Sequence, residues 1–110
     1  MEHVDLNDLQ AAAEKAAGLL KVLANPVRLL LLWQMTQGEF CVSDLEALSG
    51  IRQPTLSQQL TVLREERMVE TRREGKQIFY RIASDEALAV LQTLYAIYCS
   101  DGMDMKRKER

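Results

Sequence analysis

Residues 43–82 read SDLEALSGIRQPTLSQQLTVLREERMVETRREGKQIFYRI, and the order of elements within them decides the fold. Ser43 and Glu46 stand three apart at the head of an apolar run, the pattern of a capping box, which predicts a short helix to about Ser49. Gly50-Ile51-Arg52-Gln53 reads as a turn, because Gly tolerates the left-handed backbone that ends helices. Pro54 has its φ preset and no N–H to leave unpaired, so it begins a second helix that runs to about Glu66. Along that helix Leu56, Leu60 and Leu63 recur at helical spacing and face a core, while Thr55, Ser57, Gln58, Gln59 and Arg64 form an outward side. From Met68 the period changes to two, with Val, Ile, Phe and Tyr alternating loosely with polar residues around Arg73-Glu74-Gly75-Lys76, which predicts a β-hairpin. A short helix, a turn, a polar-faced helix and a basic hairpin make a winged helix-turn-helix in a mainly α protein.

Working outward, LNDLQAAAEKAAGLLKVL at 6–23 is rich in Ala and Leu and predicts a first helix buried on more than one side. Asn25 is a good N-cap and Pro26 a good first-turn residue, so a second helix follows from about Pro26 to Thr36. Its VRLLLLWQM is apolar nearly all round, as a central core helix is. Gln37-Gly38-Glu39 is a turn and Phe40-Cys41-Val42 a short extended stretch. Ser84 caps a last helix from about Asp85 to Cys99. About five helices and one hairpin then form a single domain over 1–110, with tails of about 1–5 and 101–110 frayed. The first and last helices carry more apolar surface than one small domain can cover, which predicts a second copy of the chain as partner.

The bulk composition fits that reading. With 47% hydrophobic and 27% charged residues in 110, the chain has ordinary globular composition. No apolar run reaches the roughly 18 residues of a membrane span, and the N-terminus lacks a signal-peptide pattern, which places the expected protein in the cytoplasm with no membrane partner. The net charge of −2 argues at first against DNA. The charges are unevenly spread, however: Lys and Arg number 3 against 7 acidic residues in 1–51, 7 against 4 in 52–81, and 4 against 5 in 82–110. The basic third is the one containing the polar helix and hairpin.

Short polar side chains on the leading turns of a helix can reach base edges in the major groove, and Gln can pair with adenine through two hydrogen bonds. That role falls to Gln53, Thr55, Ser57 and Gln58. Arg72, Arg73 and Lys76 crowd the expected hairpin tip and, with Arg64 and Gln77, suit contacts to the phosphate backbone or a minor groove. Polar helix faces and charged turns are also what any solvated surface looks like; their order along the chain is what favours DNA. A winged fold used for docking to an acidic protein is the competing reading. Catalysis is not expected: the single His is His3, no Ser or Cys has an evident base, and no phosphate loop or metal motif occurs. No cofactor is expected.

At this point the chain resembles the ArsR/SmtB repressors from about residue 10 to residue 99. The likeness lies in LLKVLANPVRLLLL, in GEFCVSDLEALSGIRQPTLSQQLTVLREERMVETRREGKQIFYRI and in LYAIYC. It is similar most of all to the BigR and SqrR branch, in QPTLSQQL, in the RR…KQIFYR wing and in the Cys that ends the last helix. The resemblance implies a homodimer made by the first and last helices, repression at a near-palindromic duplex operator, and release when a signal arrives. Many relatives sense metals, yet where the family carries Cys-x-Cys this chain reads Cys41-Val42-Ser43, and residues 84–99 contain no His. With only His3, Cys41 and Cys99 as soft donors, no metal site is expected, although a metal-responsive or signal-independent repressor stays open. The branch implies instead a pair of cysteines linked by a disulfide or a longer sulfur bridge after exposure to a persulfide, a polysulfide or an oxidant. Cys99 matches the second of the pair. The first falls at Trp33 here, with Cys41 eight residues later, and the sequence does not say whether Cys41 and Cys99 lie within the roughly 7 Å between Cα atoms that a direct disulfide needs, though a longer sulfur bridge spans more. The alternative is that both are ordinary packed thiols.

Overall fold

A computed structural model describes residues 5–99. In chain order it contains α1 (Leu6–Leu23), α2 (Pro26–Met35), β1 (Phe40–Cys41), α3 (Val42–Ser49), α4 (Thr55–Glu65), β2 (Val69–Glu74), β3 (Gln77–Ile82) and α5 (Asp85–Tyr98). The expected fold class is borne out, with one enlargement: the extended stretch before α3 joins the hairpin as a third strand. All pairings are antiparallel, in the order β1-β3-β2. Except for Asp5, which is the N-cap of α1, the tails expected to fray lie outside the described residues.

The helix ends show local chemistry at work. Asn25 Oδ1 accepts from the Arg28 N–H at 3.0 Å, and Ser84 Oγ accepts from the Ala87 N–H at 3.0 Å, so both expected caps form. The capping box at Ser43 does not. Helix α3 starts two residues earlier, with Cys41 as N-cap and no side-chain cap bond. Cys41 is held in extended geometry by its pairing with Phe79 across the sheet, which leaves Ser43 already inside the helix. Gly50, at φ 76°, closes α3 as its left-handed C-cap, where a Cβ would be strained. Pro54 is the N-cap of α4 rather than its first helical residue.

The core is built around α2. Leu31, Leu32 and Met35 pack with Leu45 from α3, Leu56, Leu60 and Leu63 from α4, Val69 from β2, and Ala87 and Leu91 from α5. Seven leucines are essentially fully buried; at about 1.5–3 kcal/mol for each such side chain, they dominate the gain from burial. Trp33 fixes α5 against α2: its Nε1 donates to the Leu91 carbonyl at 3.0 Å, and its ring meets Tyr95 edge to face at 6.3 Å.

Helix α1 departs from expectation. Only Val22 and Leu23 at its C-terminal end are buried, and every residue from Leu6 to Gly18 is exposed in the single chain. The radius of gyration is accordingly 16.3 Å, against about 13 Å for a compact domain of 100 residues.

Candidate nucleic-acid interface

Helix α4 is anchored by the leucines on one side, and its opposite side is open. Thr55, Ser57, Gln58, Thr61 and Arg64 are exposed. Among the described residues, the side chains of Thr55, Ser57 and Gln58 have no hydrogen-bond partner within the chain. Two other polar residues are committed to holding the helix. Gln53 Oε1 accepts from the Ser57 N–H at 3.0 Å and so serves as the cap that Pro54 cannot provide. Gln59 is half-buried, and its Oε1 accepts from Arg28 Nη1 at 3.0 Å. Arg28 also donates through Nε to the Val22 carbonyl at 2.7 Å and through Nη2 to the Lys21 carbonyl at 3.4 Å. One guanidinium therefore ties the end of α1, the start of α2 and the middle of α4 together.

In the wing, Glu74 pairs with Gln77, leaving Gly75 and Lys76 as a two-residue turn with Gly75 at φ 64°. Lys76 is thus at the tip. Arg73 is exposed on β2, opposite Ile78. Arg72 lies a further residue back, opposite Phe79, and is not the tip residue that its spacing suggested. Its Nε donates to Glu39 at 2.8 Å, its Nη1 to Glu74 at 2.6 Å, and its Cζ sits 4.7 Å from the centroid of the Phe79 ring. Hydrogen bonds to Glu74 first and Glu39 second raise its already high pKa, so it stays charged. Arg81 pairs with Glu70 on the same face. The i, i+2 spacing of Arg72 and Glu74 was visible in the sequence as a same-face pair; Glu39, 33 residues away from Arg72, carried no such signal.

Both cysteines are free thiols. Cys41 is buried, and its Sγ lies 3.2 Å from Ser43 Oγ and 3.9 Å from Gln77 Nε2. Gln77, offered as a backbone contact, is thereby turned toward the seam between α3 and the wing. Cys99 is the half-buried C-cap of α5. Trp33 occupies the α2 position where the BigR and SqrR branch has its first thiol, and it packs one helical turn before Cys99. His3 lies outside the described residues.

An open polar helix face, set on a rigid leucine footing beside a cationic hairpin, defines a winged helix-turn-helix DNA-binding protein. The bacterial regulatory protein arsR family matches residues 25–71, a stretch that takes in α2, β1, α3, α4 and the start of β2. The chain is 55% identical over 97 residues to the biofilm growth-associated repressor of Agrobacterium fabrum (strain C58 / ATCC 33970), covering 88% of this chain and 83% of that one. Among solved structures it is similar to the transcriptional repressor BigR from Xylella fastidiosa, with a TM-score of 0.81, 49% identity, and coverage of 89% of this chain and 100% of that one. It is also similar to reduced HlyU from Vibrio cholerae N16961, with a TM-score of 0.82, 35% identity, and coverage of 86% and 100%. The chain belongs to the arsR family: it is a transcriptional repressor of the BigR-like kind, and not an enzyme.

Proposed function

We propose that this repressor binds a near-palindromic duplex as a homodimer, with each α4 in a major groove and each wing along the flanking phosphates, and that it lets go when its cysteines are modified. The observation that carries the DNA reading is the unengaged, exposed face of Thr55, Ser57 and Gln58 on a helix whose other face is buried to the last leucine. Arg64 on the same helix and Arg73 and Lys76 in the wing are exposed as well. Pairing through α1 and α5 is supported by the apolar surface these helices leave open, including Leu6 at 65%, Ile97 at 64% and Tyr98 at 73% exposure. Such side chains in contiguous stripes favour a self-complementary partner. Twofold symmetry then sets the recognition helices about one DNA turn apart. Since the bacterial operator lies in the cytoplasm, so does this activity.

The cysteine reading is supported by the place of Cys41. It ends β1, caps α3, and touches Gln77 of β3, so its sulfur sits where the helix-turn-helix meets the wing. A polysulfide that transfers one sulfur atom to the Cys41 thiolate leaves a persulfide and a polysulfide one sulfur shorter. Cys41, Ser43, Lys76 and Gln77 line one open hollow at this seam, so the added sulfur enters the space beside Gln77, replaces the Cys41–Gln77 contact and shifts the wing against α4. Cys99, on α5, would transmit modification through the pairing surface instead.

The test is a gel shift on the chain's own upstream DNA, first with reductant and then with inorganic polysulfide, alongside mass spectrometry of the protein. Binding to the duplex followed by release, with added sulfur on Cys41 or Cys99, is the expected result. A chain that never binds the duplex overturns the whole reading; one that is modified and stays bound, or that releases equally well as the Cys41→Ser, Cys99→Ser double variant, overturns the thiol part alone.

A further inference from the structure

The cations of the wing are of two kinds. Arg73 and Lys76 are exposed and, among the described residues, make no ion pair. Arg72 is held from two sides by Glu39 and Glu74 and from below by Phe79. Its side chain is 49% exposed, so the guanidinium still shows an edge to an approaching ligand, and Glu39, at 28% against 68% for Glu74, is the more sheltered of its two counter-ions. The register explains the arrangement. Arg72 stands opposite Phe79, and Phe79 opposite Cys41, with β3 between β1 and β2, so Arg72 reaches across β3 over the Phe79 ring to Glu39, the residue just before β1.

We infer that Glu39 is a positioning residue for DNA binding: with Glu74 it holds Arg72 in an internal ion pair that a phosphate must displace, so the wing carries a built-in competitor for the duplex. This rests on the DNA-binding reading above. A phosphate offers the guanidinium two oxygens at once, a stronger match than two separate single contacts to carboxylates. The exchange therefore proceeds, but part of its gain is offset. The carboxylate left behind also gathers a cation from solution, which cancels one of the counter-ions released from the DNA. The device weakens binding evenly across sequences and flattens its salt dependence. In a repressor, that keeps the hold on random DNA low while base contacts by α4 remain untouched.

The experiment measures affinity for a specific and a random duplex over a salt series, using the full chain, its Glu39→Gln and Arg72→Gln variants, and the pair combined. Unfolding midpoints establish that each variant is folded. Glu39→Gln is expected to tighten both duplexes by about two- to fivefold at low salt and to steepen the plot of log affinity against log salt by up to about 0.9. In the Arg72→Gln background the same change is expected to do much less, because its effect passes through Arg72. Equal tightening in that background identifies simple repulsion between Glu39 and DNA and overturns the inference. So does an unchanged affinity and slope for Glu39→Gln. Should that variant not fold, Glu74→Gln removes the other carboxylate and is expected to move both readouts the same way, and its failure to do so is equally decisive. A wild-type chain that binds no duplex overturns the DNA reading itself, whereas one that binds while the variants match it overturns only the role of Glu39.

Discussion

Gln58 and Lys76 illustrate how differently two exposed polar residues act. Gln58 projects from α4 with its side-chain carboxamide unengaged by the chain, and a bidentate contact from such a side chain discriminates between bases by about 1–3 kcal/mol. Gln58→Ala is expected to relax preference at one base-pair position while leaving the salt slope unchanged, as read by competition between operator variants. Lys76 at the wing tip contributes charge without sequence. Lys76→Ala is expected to weaken every duplex alike and to make the salt slope shallower by about 0.9; a loss confined to one sequence would place Lys76 at a base instead. Gln53 is exposed too, but its carbonyl oxygen is spent on the N–H of Ser57, which leaves its Nε2 for a base.

At the scale of elements, the recognition helix is set by what lies beneath it. Leu60 is 1% exposed between α2 and the sheet, and Leu60→Ala is expected to cost about 2–5 kcal/mol in denaturant unfolding, since the leucine core leaves few side chains free to fill the gap. Arg28 is the second footing. Its bonds to Val22, Lys21 and Gln59 span α1, α2 and α4, and losing the shorter charged bonds costs about 1.5–3 kcal/mol. Arg28→Ala is expected to lower the unfolding midpoint and also to blunt discrimination between operator variants, because α4 then loses its fixed angle to α1. The end of α4 needs a left-handed residue as well, and Arg67 supplies it at φ 62° with its N–H bonded to the Arg64 carbonyl. No glycine marks that stop, which is why the helix end was placed from the change of hydrophobic period and came out one residue long.

For the whole molecule the decisive feature is α1, exposed along most of its length, together with the apolar end of α5. In sedimentation the chain is expected at twice its 12.5 kDa mass. Ile97→Glu puts a charge into the proposed pairing surface, and is expected to yield the mass of one chain and to lose operator affinity far more than affinity for a half-site. A wild-type chain sedimenting as a monomer at micromolar concentration would remove the twofold arrangement. The spread of Ala and Leu around the wheel predicts a first helix buried on more than one side; within one chain that burial is confined to its C-terminal end, since periodicity reports which faces need covering and not which chain covers them.

What the sequence determined alone is the order of elements and the identity of their faces: Leu56, Leu60 and Leu63 inward, Thr55, Ser57 and Gln58 outward, Asn25 and Ser84 as caps, and a basic hairpin after the polar helix. These follow from local propensity and period, which act over a few neighbouring residues. Tertiary structure decided the pairs that span the chain: Glu39 with Arg72, Arg28 with Gln59, Cys41 with Gln77, and the third strand that Phe40 and Cys41 add. Such contacts depend on how rigid elements come to lie beside each other after the core has packed, and residues 31 to 40 positions apart carry no local pattern that announces them.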